Sequence, residues 1–382
     1  MEINKYKICN IALDEKFIDG AIECLDLLSD RWDSQWVVCQ NVEQDLKMIK
    51  RYVDRIKIIP EKNVLDYINQ NKFDAIILHS FVAVSPLTII QIPKKIRVFW
   101  FGWGYDIYNF PEYRPFLKWN LYKPLTYRYI NSSLSVRINQ LVSKIIFFIK
   151  RKDKLFDKAL NRIDFFSGIL PFEYDLLKHN SKFRAQRVLF SYSSLAGLKS
   201  YENFERYDGN NILIGNSAVS TNNHLDLLEY LRQLDLEGKK IIMPLSYGGQ
   251  GDYVKYIIKK YKEFLGDKLI PVVDFLPFDV YTSYIKSCSV AIFFMERQQA
   301  MGNIITALKY GCKVFLSDKN PVYKFYRDMG VSVFSVERDL NNENIANSLE
   351  ESEIEKNRNI FKNQGDYNAY IKKLNTIYEA LR

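Results

Sequence analysis

Short, continuously apolar runs alternate with amphipathic stretches along the first hundred residues. The runs Tyr6–Ala12, Gln35–Cys39, Ile56–Ile59, Ala75–His79 and Ile96–Phe101 read as strands. Stretches near Phe17–Leu28, Glu43–Arg51, Asn63–Asn69 and Pro86–Gln91 read as helices. Strands without an in–out alternation, separated by helices, predict a parallel sheet covered on both faces. Arg162–Ile169 and Gln186–Phe190 extend that sheet, and the polar stretch Lys199–Asn210 reads as a linker.

Beyond the linker the alternation restarts. Strands are predicted at Asn211–Gly215, Lys240–Pro244, Lys268–Val273, Ser289–Phe294, Lys313–Ser317 and Val331–Phe334. Helices are predicted near Leu225–Leu234, Tyr253–Phe264, Val280–Lys286, Ile304–Lys309 and Val322–Asp328. The charged stretch from Asn342 reads as helical, with Tyr367–Leu381 expected to pack back across the hinge. The fold class is therefore α/β, with two doubly wound Rossmann-like domains facing a central cleft. Residues 1–200 form the first domain, 205–345 the second, and 346–382 a C-terminal helical segment. Ligands of open α/β sheets bind beyond the carboxyl ends of the strands, so chemistry is expected there.

Composition supports this picture. The 382 residues suit two domains, and 47% hydrophobic residues suffice for two cores. The N-terminal apolar run is too short for a signal peptide, and no apolar stretch is long enough for a spanning helix. The five cysteines have no metal-ligand or redox spacing and read as buried thiols in a reducing compartment. The net charge of +9 is concentrated: Lys94–Lys158 carries fourteen Lys/Arg against four acids, and the remainder is close to neutral. Such a patch calls for a local anionic partner.

Three loops of the second domain carry more polar residues than a strand-to-helix turn requires. The first, Gly215–His224, offers Asn216, Ser217, Asn222, Asn223 and His224 to an anion or a sugar, or to a helix cap. The second, Pro244–Asp252, brings Ser246, Tyr247, Gly248 and Gly249, whose glycines permit positive φ and close backbone approach, to a ligand or within a tight turn. The third, Phe293–Asn303, ends a strand in Glu296, Arg297, Gln298 and Gln299 before Gly302 and Asn303. Arg297 and the helix N-terminus suit a diphosphate, and Glu296 suits sugar or ribose hydroxyls; an internal Glu–Arg pair is the alternative. Phe275 and Leu276 form a further turn suited to a nucleobase edge or to core packing.

In the first domain, Phe99–Asp106 runs through Trp103 and Tyr105, aromatics suited to stacking on sugar rings. Asp106 reads either as a base for an acceptor hydroxyl or as a helix cap. Between Tyr113 and Lys158, Arg114, Lys118, Lys144, Lys150 and Arg151 are interleaved with Tyr, Phe, Trp and Ile. That mixture suits an anionic membrane surface, with a single-stranded nucleic acid or a buried interdomain helix as rivals. The Ile-Ile-Phe-Phe-Ile run at 145–149 favours lipid, and no nucleic-acid partner is expected. No His/Asp/Glu cluster has metal-ligand spacing, so neither a metal nor another cofactor is expected.

Taken together, Asn216-Ser217 with Asn222-Asn223-His224, Pro244-Leu245-Ser246-Tyr247-Gly248, and Arg297-Gln298-Gln299 with Gly302-Asn303 resemble the 4-acetamido-4,6-dideoxygalactose transferase family, glycosyltransferase family 56. The likeness covers about residues 211–335, and the aromatic-Gly stretch ending in Asp106 is similar too. The resemblance implies a GT-B fold, a dTDP-sugar donor, a polyprenyl-diphosphate-linked acceptor and peripheral attachment to the cytoplasmic face of the inner membrane. The residues themselves make Asp106, Glu296 and Arg297 the candidate catalytic groups. Two rivals stay open: a nucleotide-sugar epimerase or hydrolase on the same frame, and a non-catalytic membrane- or nucleic-acid-binding protein.

Overall fold

Among the described residues, thirteen short strands, most of them apolar, build two wholly parallel sheets in a computed structural model. It describes residues 5–40, 44–108, 121–132, 138, 142, 152–192, 207–249, 251–364 and 367–382. The chain divides into unit 1 (1–119, 142–200 and 365–382) and unit 2 (120–141 and 201–364).

Unit 1 contains β1 (Tyr6–Ala12), β2 (Trp32–Val38), β3 (Ile56–Ile58), β4 (Ala75–His79), β5 (Arg97–Phe101), β6 (Phe165–Ser167) and β7 (Gln186–Arg187). Their spatial order is 3-2-1-4-5-6-7. β1 lies between β2, with Tyr6 opposite Trp32, and β4, with Ile8 opposite Ala75. Each central strand is buried on both faces, which is why its sequence shows no alternation. Unit 2 contains β8 (Asn211–Ile214), β9 (Ile241–Pro244), β10 (Leu269–Val272), β11 (Cys288–Phe293), β12 (Lys313–Leu316) and β13 (Phe334–Ser335), ordered 10-9-8-11-12-13. In both sheets the order reverses beside the first strand, so the switch points lie between β1 and β4 and between β8 and β11.

Local chemistry accounts for the helix boundaries. Pro86, Pro124, Pro171 and Pro321 open helices at positions where their missing N–H costs nothing. The Ser85 side chain caps Thr88 N, and the Asn320 side chain caps Val322 N. The unit 2 core collects Ile212, Ile214, Leu228, Ile241, Met243, Ile257, Ile292 and Phe315 from strands and covering helices.

Three expectations are corrected. The helix expected over Glu43–Arg51 is absent among its described residues, 44–51. Asp14 accepts the backbone N–H groups of Lys47, Met48 and Ile49, and Asp19 those of Lys50, Arg51 and Tyr52. With its donors committed to carboxylates, this stretch cannot form an i→i−4 ladder. Second, 1–200 is not one continuous domain, because 120–141 belongs to unit 2. The helix Pro124–Ile130 lies against the unit 2 core through Leu125 and Tyr129, the latter stacked on Tyr256 at 4.4 Å. Asp226 accepts Leu125 N and Thr126 N, satisfying that helix's free N-terminal donors. Third, 346–382 is divided, with its last helix, Tyr367–Glu379, in unit 1. There Thr376 accepts Leu189 N, Asn375 accepts from Arg31, and Tyr378 meets Tyr6 edge-on.

Candidate active site

The three polar loops of unit 2 leave the carboxyl ends of β8, β9 and β11, and side-chain hydrogen bonds tie them together. Asn216 is the joint. Its amide donates to the Tyr247 hydroxyl (2.9 Å) and its carbonyl oxygen accepts from Gln299 Nε2 (2.9 Å). Gln299 Oε1 in turn accepts from the Thr221 hydroxyl at 2.8 Å. Ala218 N donates to Tyr247 O, so the first two loops also share a backbone bond.

Several predicted ligand-binding residues build these loops instead. Asn222 accepts Asn216 N and donates to Ser217 O, Ser217 Oγ and Val219 O. Asn223, at φ +54°, donates to Thr221 O, Phe294 O and Leu121 O, while its Oδ1 accepts Lys123 N. Gly248 has φ +78°, and a Cβ there would lie 2.4 Å from Val219 Cγ2; at Gly249 it would lie 2.4 Å from Ala218 Cβ. The close approach these glycines permit is between loops. Ser246 is half-buried beside them.

His224 is also internal. Its Nδ1 lies 3.2 Å from the Tyr253 hydroxyl, its carbonyl accepts from Tyr261, and burial pulls its pKa down to about 3. It is a neutral imidazole beneath the loop, not an exposed anion ligand.

Glu296 and Arg297 are buried at the end of β11. Glu296 pairs with Lys123 (2.6 Å) and accepts from the Ser317 hydroxyl (3.3 Å). Lys123 also pairs with Glu337 (2.7 Å) and sits 4.0 Å from the Phe294 ring centroid. Burial opposes the charge on Lys123, but its bonds to Glu296 and Glu337 outweigh it and raise its pKa. Glu337 is likewise opposed by burial, yet Lys123, Asp318 N and Ser317 hold it below the usual carboxylate range. Arg297 Nη1 donates to Gln298 O. Gln298 Oε1 is buried without a hydrogen-bond partner.

The following helix, Met301–Lys309, is entered through Ala300 at φ +62°, a strained conformation for a residue with a Cβ. Gly302 lies in its first turn with nothing within 4 Å of where a Cβ would be. Gly302 is exposed, so a ligand can approach this first turn without meeting a side chain. Asn303 donates to the Tyr281 hydroxyl at 2.7 Å. Apolar side chains stand in solvent here: beyond β10 Phe275 is 69% exposed and Phe278 78%, with Leu276 half-buried, and beyond β9 Tyr247 is 42% exposed.

In unit 1, Asp106 is not an accessible base. It is fully buried and accepts from Phe81 N (2.9 Å), Trp100 Nε1 (2.8 Å) and Trp103 N (2.8 Å). Desolvation pushes its pKa up against those bonds. Tyr105 bonds Ser80 Oγ at 3.1 Å, and the Trp103 ring packs edge-on against Phe17 and Tyr192. Arg114, Lys118, Lys144, Lys150 and Arg151 lie outside the described residues. Among the described residues no group of three His, Cys, Asp or Glu is placed to hold a metal, and no helix is long and apolar enough to cross a membrane.

Sequence reading missed Lys123, Glu337 and Ser317. Each comes from a different, distant segment, and no local motif links them.

Two parallel, doubly wound sheets with polar loops at the carboxyl edge make up the GT-B fold. Solved structures agree on the fold. The glycosyltransferase from Rickettsia africae ESF-5 matches at TM-score 0.58 with 16% identity, covering 99% of each chain. Sucrose-phosphate synthase from Thermosynechococcus elongatus matches at 0.64 with 11% identity and 99% of each chain. Anabaena HepE in complex with UDP-glucose matches at 0.61 with 11% identity, covering 98% of this chain and 99% of that one. The chain itself belongs to glycosyl transferase group 56, described as 4-alpha-L-fucosyltransferase, whose family model matches residues 139–377. It is therefore a glycosyltransferase, and the epimerase and non-catalytic readings are set aside.

Proposed function

We propose that this enzyme moves a 4-acetamido-4,6-dideoxyhexose from a dTDP-linked donor to a saccharide carried on a polyprenyl diphosphate. The carrying observation is the joint at Asn216, which ties three carboxyl-edge loops of unit 2 together just before the helix Met301–Lys309. Such an assembly suits a nucleoside diphosphate, and HepE, which shares the fold, is described with UDP-glucose. The oxygens of the diphosphate gain charge as the glycosidic bond breaks. The N–H groups around Gly302 and the Arg297 guanidinium would stabilise that charge without reorganising. This reading needs no metal, because the protein's own cation and dipoles meet the charge. Exposed Phe275 and Tyr247 would flank the nucleobase.

The basic segment around Lys144, Lys150 and Arg151 would hold the enzyme on the cytoplasmic face of an anionic membrane, where such an acceptor resides. No nucleic acid enters this reading.

Thermal-shift measurements against dTDP-, UDP- and GDP-linked sugars test the donor. A specific ligand at a hundred times its Kd stabilises by about 2.7 kcal/mol. The dTDP-linked 4-acetamido-4,6-dideoxygalactose should give the largest shift. A larger shift from a UDP- or GDP-sugar would reassign the donor while leaving the site in place.

A further inference from the structure

The acceptor half of the reaction needs a group to take the proton of the attacking hydroxyl. Ligands of doubly wound sheets bind at the switch point, which in unit 1 lies between β1 and β4. Four carboxylates follow β1 and β5, the strands on and next to that point, and one more follows β6. Asp14 and Asp19 are committed to the backbone N–H groups of 47–52. Asp106 is sealed by Phe81, Trp100 and Trp103. Glu173, beyond β6, is fully buried and accepts Leu170 N. His79, at the end of β4, is no substitute, because it is buried with both ring nitrogens engaged, by Asn10 and Tyr192.

Glu15 differs from all of them. It stands three residues beyond the end of β1 and is half-buried. Among the described residues its carboxylate has no hydrogen bond and no ion pair. Two residues on, Phe17 is 45% exposed, with its ring 6.0 Å from Trp103 and 6.5 Å from Tyr192. A half-buried carboxylate two residues before an exposed ring suits a sugar: the ring can stack and the acid can accept.

We propose that Glu15 is the general base for the acceptor, an inference that rests on the transferase reading above. The acceptor O–H bond breaks and its proton passes to the Glu15 carboxylate. The freed oxygen bonds to the anomeric carbon of the donor sugar. The bond from that carbon to the diphosphate oxygen breaks, and its electron pair leaves with the nucleoside diphosphate. The charged and titratable groups around Glu15 are Lys16, Asp14 and Tyr105. Burial opposes ionisation of Glu15 more than Lys16 favours it, so its pKa lies above the usual carboxylate range.

The test measures transfer from dTDP-4-acetamido-4,6-dideoxygalactose to a polyprenyl-diphosphate-linked disaccharide by wild type, Glu15→Gln, Glu15→Asp and Asp45→Asn. Asp45 is an exposed acid beyond β2 and serves as the control. Glu15→Gln should lower kcat by about 10²–10⁴-fold. It should keep the donor-induced thermal shift and lose the acidic limb of the kcat/KM profile, while Glu15→Asp retains part of the rate and Asp45→Asn all of it. Wild-type kcat in Glu15→Gln would overturn the assignment alone, as when the departing diphosphate itself takes the proton. So would a loss confined to donor binding, or the same loss in Asp45→Asn. A wild-type enzyme that transfers nothing between this pair would overturn the underlying reading, and this assignment with it.

Discussion

Asn216 illustrates how a single amide organises a site. Its donor and acceptor are both spent on other loops, so Asn216→Ala removes one hydrogen bond to Tyr247 and one from Gln299. A stability loss of about 1–3 kcal/mol is expected by chemical denaturation, with a further loss of donor affinity. Arg297→Ala should behave differently, lowering both transfer rate and donor affinity with little change in fold; unchanged kinetics would remove Arg297 from the diphosphate. His224 makes a pH prediction. Its folded pKa of about 3 lies below the unfolded value of about 6.5, so the unfolded chain binds the extra proton between these values. The stability tied to neutral His224 is complete above the unfolded pKa and is lost as pH falls, by up to roughly 1.4 kcal/mol per pH unit. The stability difference between wild type and His224→Gln, measured from pH 7 to pH 4.5, should shrink in proportion. A difference independent of pH would show that His224 is protonated in the fold.

At the scale of elements, the segment 121–132 is joined to the rest of unit 2 by one carboxylate and one ammonium, beside the packing of Leu125 and Tyr129. Asp226 satisfies the N-terminal donors of Pro124–Ile130, and Lys123 joins Glu296 to Glu337. Asp226→Ala should therefore cost about 1–2 kcal/mol and speed amide exchange across 124–130 specifically. Uniform exchange across all helices would argue against the cap. Lys123→Met removes the ammonium that pairs with both Glu296 and Glu337. It should destabilise more than removing an exposed pair such as Lys324–Asp328. The loop pairing also makes Gly249→Ala costly, since its Cβ would meet Ala218.

For the whole molecule, the proposed membrane attachment is tested by co-sedimentation. Binding to vesicles containing anionic lipid should fall steeply with salt, because exposed charges are screened within about 8 Å at physiological ionic strength. It should also fall when Lys144, Lys150 and Arg151 are reversed to Glu. Binding insensitive to both changes would leave the charge excess without that role.

How much of this was legible beforehand depends on whether the information is local. Strands buried on both faces show as continuous apolar runs. Tyr6–Ala12 and Ala75–His79 were therefore bounded correctly from sequence, as was the helix Pro86–Gln91. The polar loops were visible because their composition exceeds what a turn needs, and their combined spacing pointed to the family. Side-chain roles within those loops were not legible. Asn222 and Asn223 look the same whether they face a ligand or each other, and Asp106 looks the same exposed or sealed. The missing helix at 44–51 has its cause more than twenty residues away, at Asp14 and Asp19. The Lys123–Glu296–Glu337 cluster joins three segments with no shared motif. By itself, then, the chain determined its strands, its two-sheet class and the loops that carry chemistry, because these follow from periodicity and turn composition. Only the tertiary structure decided which polar groups are spent on the fold and which, like Glu15, remain to act. Burial and hydrogen-bond partnership arise only when distant segments meet.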